Sequence, residues 1–325
     1  MLQLHISHDY NLNILLLLKE IQTLTFMFTF TTNVKNEKVF YSIKNELIMK
    51  LSFEILLSTM FKTDLSFLKK VFVHEHFSNF NILIINQTDE EKILISDYEN
   101  VRVINSLERG SPASRNLAIK NATGDICLMA DDDIVYQPNL KETILEAYNQ
   151  NSDMDMISFE AIDENGKLYA NYYPEGNHDK ISLKEIYTWV ITFRREVFNH
   201  YHIYFNHFFG VGSVFKGETE YVFLRNAFDK NLKMYHISKI IVMHPYESSG
   251  RKMGGDEAIY ARSALTQRFH GNLSYFWLIK YLFFVWRNNY INLKQIPLKF
   301  KIGLKGISKY KELKKTGEID KIYVN

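Results

Sequence analysis

The chain has 325 residues, 46% hydrophobic and 23% charged, with only five prolines; this excludes wholesale disorder and long linkers and allows one large core or two modest ones. The net charge of +2 is unevenly spread: residues 276–325 carry eleven Lys/Arg against three acids, a net +8, which leaves −6 for residues 1–275. Such asymmetry fits a polyanionic partner or an anionic membrane face for the tail.

The single cysteine, Cys127, excludes an intramolecular disulfide framework and suits a reducing compartment. It reads as a small buried hydrophobe in a strand. The apolar stretch 14–30 is interrupted by Lys19 and Glu20 and falls short of the roughly 18–20 clean residues a membrane span needs. It also lacks the basic leader and small-residue cleavage site of a signal peptide. Residues 1–48 are expected to be an extension upstream of a natural start at Met49, residues 49–272 an α/β domain, and residues 273–325 a basic, aromatic helical tail.

In chain order, Phe53–Ser58 reads as a short buried strand and Asp64–Phe72 as a helix, through Leu65, Leu68 and Phe72. Asn81–Ile85 and Val101–Ile104 are continuous apolar strands; runs apolar on both faces, alternating with helices, predict a mostly parallel sheet. Gly110-Ser111-Pro112 opens a helix that carries Ala113–Ala122 and stops at Gly124. The strand Ile126–Ala130 then delivers three carboxylates, Asp131-Asp132-Asp133, at its carboxyl end, the edge where open α/β sheets bind ligands. Clustered carboxylates repel unless a cation sits among them, and hard oxygen donors suit Mg²⁺ or Mn²⁺. A solvated acidic loop or a helix cap is the bland alternative.

Asn139–Tyr148 follows as a helix, Met154–Ile162 as a strand and Asp163–Gly166 as a turn. The second half gives a glycine-containing loop at Phe208–Ser213, a helix at Thr219–Phe228, a strand at Lys239–Met243 and a helix at Gly254–Phe269. The tail interleaves Trp277, Tyr281, Phe283, Phe284 and Trp286 with Lys280 and Arg287, a pattern of helices lying on anionic membranes. No nucleic-acid-binding signature accompanies it.

The block Gly110-Ser-Pro-Ala-Ser-Arg115-Asn116, then Gly124-Asp125, an apolar strand and Asp131-Asp132-Asp133, resembles glycosyltransferase family 2, over residues 52–260 by order of elements. The resemblance implies a GT-A (Rossmann-like) fold and an inverting transfer of a hexosyl or N-acetylhexosaminyl group from a nucleotide-sugar donor, a UDP-sugar by default. The divalent cation, Mn²⁺ or Mg²⁺, would bridge the donor diphosphate. By position, Asp131 would lie near the ribose and Asp133 on the metal, with Asp132 able to exchange with either. Arg115 would face the nucleotide.

Ser58 to Lys62 replaces the family's usual turn after the first strand, and Asn86-Gln87 stands where acids usually touch the base; an amide can serve a uracil as well. Glu220, counted back from Phe223, falls at the position of the general base, with Glu218 as the alternative; the other reading of both is attraction to a helix N-terminus.

His244-Pro245 with Ser248–Gly250 resembles a late segment of capsule-building members, making His244 a candidate metal ligand. Phe209, Gly210 and Gly212 are candidates for the floor under the acceptor sugar, and Trp189 for a contribution to it unless it is a core residue. The acceptor would be a glycan or lipid-linked glycan of a bacterial surface, the tail would meet an anionic membrane surface, and the site of action would be cytoplasmic, on the inner face of the membrane. A nucleotidyltransferase shares metal carboxylates, but Met60-Phe61-Lys62-Thr63 lacks the glycine of a phosphate loop. A non-catalytic glycan-binding relative is the remaining alternative.

Overall fold

Strands apolar on both faces need cover on both faces, and the first half of the chain obeys this. The computed structural model describes residues 51–246 and 253–322, so the extension 1–48, Met49 and Ser248–Gly250 lie outside the described residues. The strands are β1 (Phe53–Met60), β2 (Asn81–Gln87), β3 (Val101–Ser106), β4 (Ile126–Asp131), β5 (Val135–Tyr136), β6 (Met156–Ile162), β7 (Gly176–Asn177), β8 (Ile191–Arg194) and β9 (Met234–Met243). The α-helices are α1 (Leu68–Val71), α2 (Ser111–Asn121), α3 (Leu140–Gln150), α4 (Arg195–His200), α5 (Thr219–Asp229), α6 (Asp256–His270), α7 (Ser274–Arg287) and α8 (Ile296–Lys315).

The sheet runs β3-β2-β1-β4-β8-β6-β9-β5, with β7 also on β9. Its first four strands are parallel. Ile55, Leu56 and Leu57 of β1 are fully buried, as are Ile82 to Ile85 of β2; each such side chain contributes roughly 2 kcal/mol through burial. The register pairs Ser58 with Ile85 on one side and Asp131 on the other, which gathers the carboxyl ends of β1, β2 and β4 at one edge.

The second half is less parallel than expected. β8 runs antiparallel between β4 and β6, and β5 and β7 pair antiparallel with β9. These three strands are two to four residues long, too short for alternation to show. The helix expected over Asp64–Phe72 is only Leu68–Val71. β9 starts at Met234, five residues before the expected strand, because its first half pairs with β6 and β7.

Helices α6, α7 and α8 share a small core of Ile259, Leu278, Tyr281, Leu282, Val285, Ile291 and Ile307. Arg262 of α6 donates to the Tyr281 hydroxyl at 2.7 Å, and Lys299 of α8 pairs with Asp256 at 2.6 Å. Residues Leu51–Asn325 form one compact unit, so the helical tail is packed onto the α/β part. Among the described residues no helix is long and apolar enough to cross a membrane.

Candidate active site

The block around α2 is scaffolding that fixes where the acidic strand end and Glu220 lie. Gly124 lies so close to β1 that a Cβ there would stand 2.6 Å from Glu54 Cβ. The buried Glu54 carboxylate accepts from the Thr123 and Gly124 amides (2.6 and 2.9 Å) and pairs with Arg102 at 2.7 Å. Asp125 accepts from the Ser52 amide and hydroxyl, 2.9 and 2.7 Å. Together these bonds fix the start of β4, and hence the position of the acids six residues on. Asn116 ties α2 to the chain before α5: its amide donates to the Phe205 carbonyl at 2.8 Å and accepts the Phe205 N–H at 2.7 Å.

At the carboxyl end of β4 each aspartate has a different partner. Asp131 is held by the Arg115 guanidinium at 3.1 and 3.2 Å. Asp132 accepts from the Thr59 hydroxyl at 2.5 Å and pairs with Lys62 at 2.9 Å. Asp133, largely exposed, faces His244 Nε2 at 3.4 Å. The His244 hydrogen bond holds Asp133 below the usual carboxylate range. Burial opposes a charge on His244, but the bond to Asp133 and its charge outweigh it and raise the imidazole above its usual value. Asp131 stands above its usual value, because enclosure outweighs the pull of Arg115.

Arg115 joins two parts of the site. Its side chain is only 7% exposed, so it is not the surface helical arginine that spacing alone allows. Its second nitrogen reaches Glu220 Oε1 at 3.3 Å, and its plane lies 5.4 Å from the Phe205 ring. One guanidinium therefore joins the acidic strand end to Glu220, a carboxylate in the first turn of α5. The two negative charges keep Arg115 protonated despite burial.

Thr188, in a short 3-10 turn at Thr188–Val190, donates its hydroxyl to the same Glu220 oxygen at 2.5 Å. Glu218, the alternative base, is turned away from this group and accepts from Arg262 Nε at 2.8 Å. Its role here is to join α5 to α6.

Several of the expected site residues are engaged within the protein. Asn86 is fully buried; it accepts from the Lys62 amide and donates to the Lys62 carbonyl and Asn105, at 2.9 to 3.0 Å. Its amide holds the turn after β1. Gln87 Oε1 is taken by the Gly110 amide at 2.7 Å, at the start of α2. Ser58 is buried and its hydroxyl has no hydrogen-bond partner among the described residues.

Phe209 is fully buried against Phe215, centroids 4.8 Å apart, so its ring is core and offers no face to a sugar. Gly210 (φ +135°) would place a Cβ 2.8 Å from the Ser111 hydroxyl and 2.9 Å from Pro112. With the Ser111 amide bonded to the Val211 carbonyl at 3.0 Å, this loop seals the start of α2; exposed Gly212 lies against Gly110. Trp189 is buried too.

Thr59, Lys62 and Thr188 carried no signal in the sequence. The first two, one at the end of β1 and one just after it, fall in the segment Ser58 to Lys62 that departs from the family pattern, and Thr188 meets Glu220 across 32 residues.

Residues 65–215 match the family model for glycosyl transferase family 2. Over 83 residues the chain is 30% identical to an uncharacterized glycosyltransferase of Haemophilus influenzae, a match covering 25% of this chain and 28% of that protein. The chain thus spans little more than a quarter of that relative. Among solved structures, S. aureus TarS residues 1–349 aligns at 13% identity over 85% of this chain and 94% of that one, TM-score 0.46. The same fragment in complex with UDP-GlcNAc aligns at 13% identity over 85% and 95%, TM-score 0.47.

Proposed function

We propose that the chain is an inverting sugar transferase that uses a nucleoside-diphosphate sugar, with Glu220 as its general base. The observation that carries this reading is the shared guanidinium: Arg115 contacts both Asp131 and Glu220, so a donor-binding strand end and a basic carboxylate face one small volume. In the reaction Glu220 takes the proton of an acceptor hydroxyl as its oxygen bonds to the anomeric carbon. The bond from that carbon to the diphosphate oxygen breaks on the opposite face, its electron pair leaving with the nucleoside diphosphate, and the configuration inverts.

A divalent cation fits the acidic edge. Asp133 and His244 supply an oxygen and a nitrogen side by side, while the described residues hold no ready-made group of three or more metal ligands. That suits Mg²⁺ or Mn²⁺ bound through one or two protein ligands plus substrate phosphates. Such an ion, when bound, offsets the charge growing on the leaving diphosphate. Asp131 and Asp132, steadied by Arg115 and Lys62, shape the edge for the ribose side of the donor.

The acceptor is a hydroxyl of a surface glycan, lipid-linked at the inner face of the membrane. Supporting this, α7 turns Phe276 (72% exposed), Ile279 (58%) and Phe283 (54%) outward, and Lys280 and Arg287, also exposed, fall on the same helical face by their spacing. Aromatic and aliphatic groups sink into the interface while lysine and arginine reach anionic headgroups.

Both halves can be tested together: with UDP-sugars and Mn²⁺ the protein should release UDP, and it should float with phosphatidylglycerol vesicles at low salt. No UDP release from any donor would remove the enzymatic reading, and a protein left behind by the vesicles would remove the membrane one.

A further inference from the structure

The helix that carries Glu220 begins on a residue in an uncommon backbone state. Glu218, at the N-cap of α5, stands at φ +60° and ψ 18°. Residues other than glycine hold this left-handed region only where their surroundings fix them. The Glu218 carboxylate makes no capping bond to its own helix; it accepts from Arg262 Nε of α6 at 2.8 Å. Its carbonyl accepts from the Val222 amide at 3.1 Å. The first turn of α5, with Glu220 in it, is therefore set by where Glu218 sits.

Arg262 is held in turn by the helical tail. Its Nη1 donates to the Tyr281 hydroxyl of α7 at 2.7 Å, and that hydroxyl donates to the Met253 carbonyl at 2.9 Å. The guanidinium carbon lies 5.6 Å from the centre of the Tyr281 ring, which is buried in the core shared by α6, α7 and α8. A second tie runs alongside. Phe215 and Val222, which flank Glu218 and Glu220 in the chain, share a buried cluster with Ala261 and Ala264 of α6 and Tyr310 of α8. Arg115 and Thr188 of the α/β part hold the Glu220 carboxylate, while the tail holds the backbone beneath it.

We propose that Arg262 is a positioning residue for Glu220. Through Glu218 it fixes the first turn of α5, and through Tyr281 it makes sugar transfer depend on the docked helical tail. This rests on the reading of Glu220 as the base. A base displaced by about 1 Å from the hydroxyl it serves loses up to roughly a hundredfold in rate. The affinity for the nucleotide, bound at the strand edge, stays as it was. Lysine could reach Glu218 or Tyr281 but lacks the planar fork that spans both.

The experiment uses the full chain and compares wild type with Arg262→Leu, Arg262→Lys, Glu218→Ala, the double variant of Arg262→Leu with Glu218→Ala, and Tyr281→Phe. Calorimetry reads UDP affinity in Mn²⁺, and UDP release from UDP-sugars, with aryl pyranosides as acceptors, reads kcat and KM. Arg262→Leu and Glu218→Ala should each lower kcat roughly ten- to a hundredfold, with UDP affinity and donor KM within about twofold of wild type. The double variant should be no slower than the slower single one, because both remove the same contact. Arg262→Lys should regain part of the loss. Tyr281→Phe, which keeps the ring in the core, should lose about threefold in kcat.

A wild-type kcat in Arg262→Leu would overturn the proposal, as would additive losses in the double variant or a fall in UDP affinity equal to the fall in kcat. Should Arg262→Leu fail to fold, Tyr281→Phe decides: lowered kcat at unchanged UDP affinity supports the proposal, and a wild-type kcat overturns it. Near-wild-type transfer by Glu220→Gln in the same assay would instead overturn the reading of the base beneath it, as would a wild type that neither binds nor releases UDP.

Discussion

Glu220→Gln is expected to bind UDP as tightly as the wild type and to transfer sugar about a thousandfold more slowly, the usual scale of a lost general base. Glutamine keeps the length of the side chain and an oxygen for the Thr188 hydroxyl, which donates to Glu220 at 2.5 Å, so the turn stays in place. It cannot take a proton from an attacking hydroxyl. Calorimetry with UDP separates the two effects, because a general base contributes to the reaction and not to the affinity for the leaving nucleotide. Transfer within tenfold of wild type would move the base elsewhere. Glu218 would be a poor replacement, since its carboxylate is committed to Arg262 at 2.8 Å.

Arg115→Leu should cost about 3 kcal/mol of folding stability in urea denaturation, and most of the activity with it. Removing one partner of an enclosed ion pair leaves the others uncompensated, a loss of several kcal/mol. Here two carboxylates are left, Asp131 and Glu220, both on the guanidinium at 3.1 to 3.3 Å. Lysine at this position keeps the charge but cannot place two donors in a fixed fork, so Arg115→Lys should regain stability in part and activity less. A loss below 1 kcal/mol in Arg115→Leu would mean that the carboxylates find other cations and that the shared contact matters little.

The parts of this architecture that were legible in the sequence are those written in short spans. The apolar run after Gly124 is β4, and Ser111-Pro112 marks the start of α2. The helix Thr219–Asp229 was visible from its spacing, with Glu220 in its first turn.

What stayed hidden depends on contacts between distant elements. Asn86 ends an apolar strand just where a base contact would be expected, yet its amide is used up by Lys62 and Asn105. Phe209 lies in a glycine loop that looks exposed, but its ring is buried in a cluster with Phe215 and with Val222, Ala261 and Tyr310 of distant helices. The aromatic tail was readable as helical; its spacing did not show that Tyr281 faces the core while Phe276 faces outward. The Thr188–Glu220 contact has no local trace at all.

The proposed transfer depends most on a divalent cation that the acidic edge would hold together with the donor diphosphate. Titration of UDP into the protein, with Mn²⁺ and then with EDTA, addresses this directly, and Asp133→Asn provides the control at the residue paired with His244. The account predicts binding in Mn²⁺ that is lost in EDTA and lost again in Asp133→Asn with Mn²⁺ restored. Equal affinity under all three conditions would contradict it.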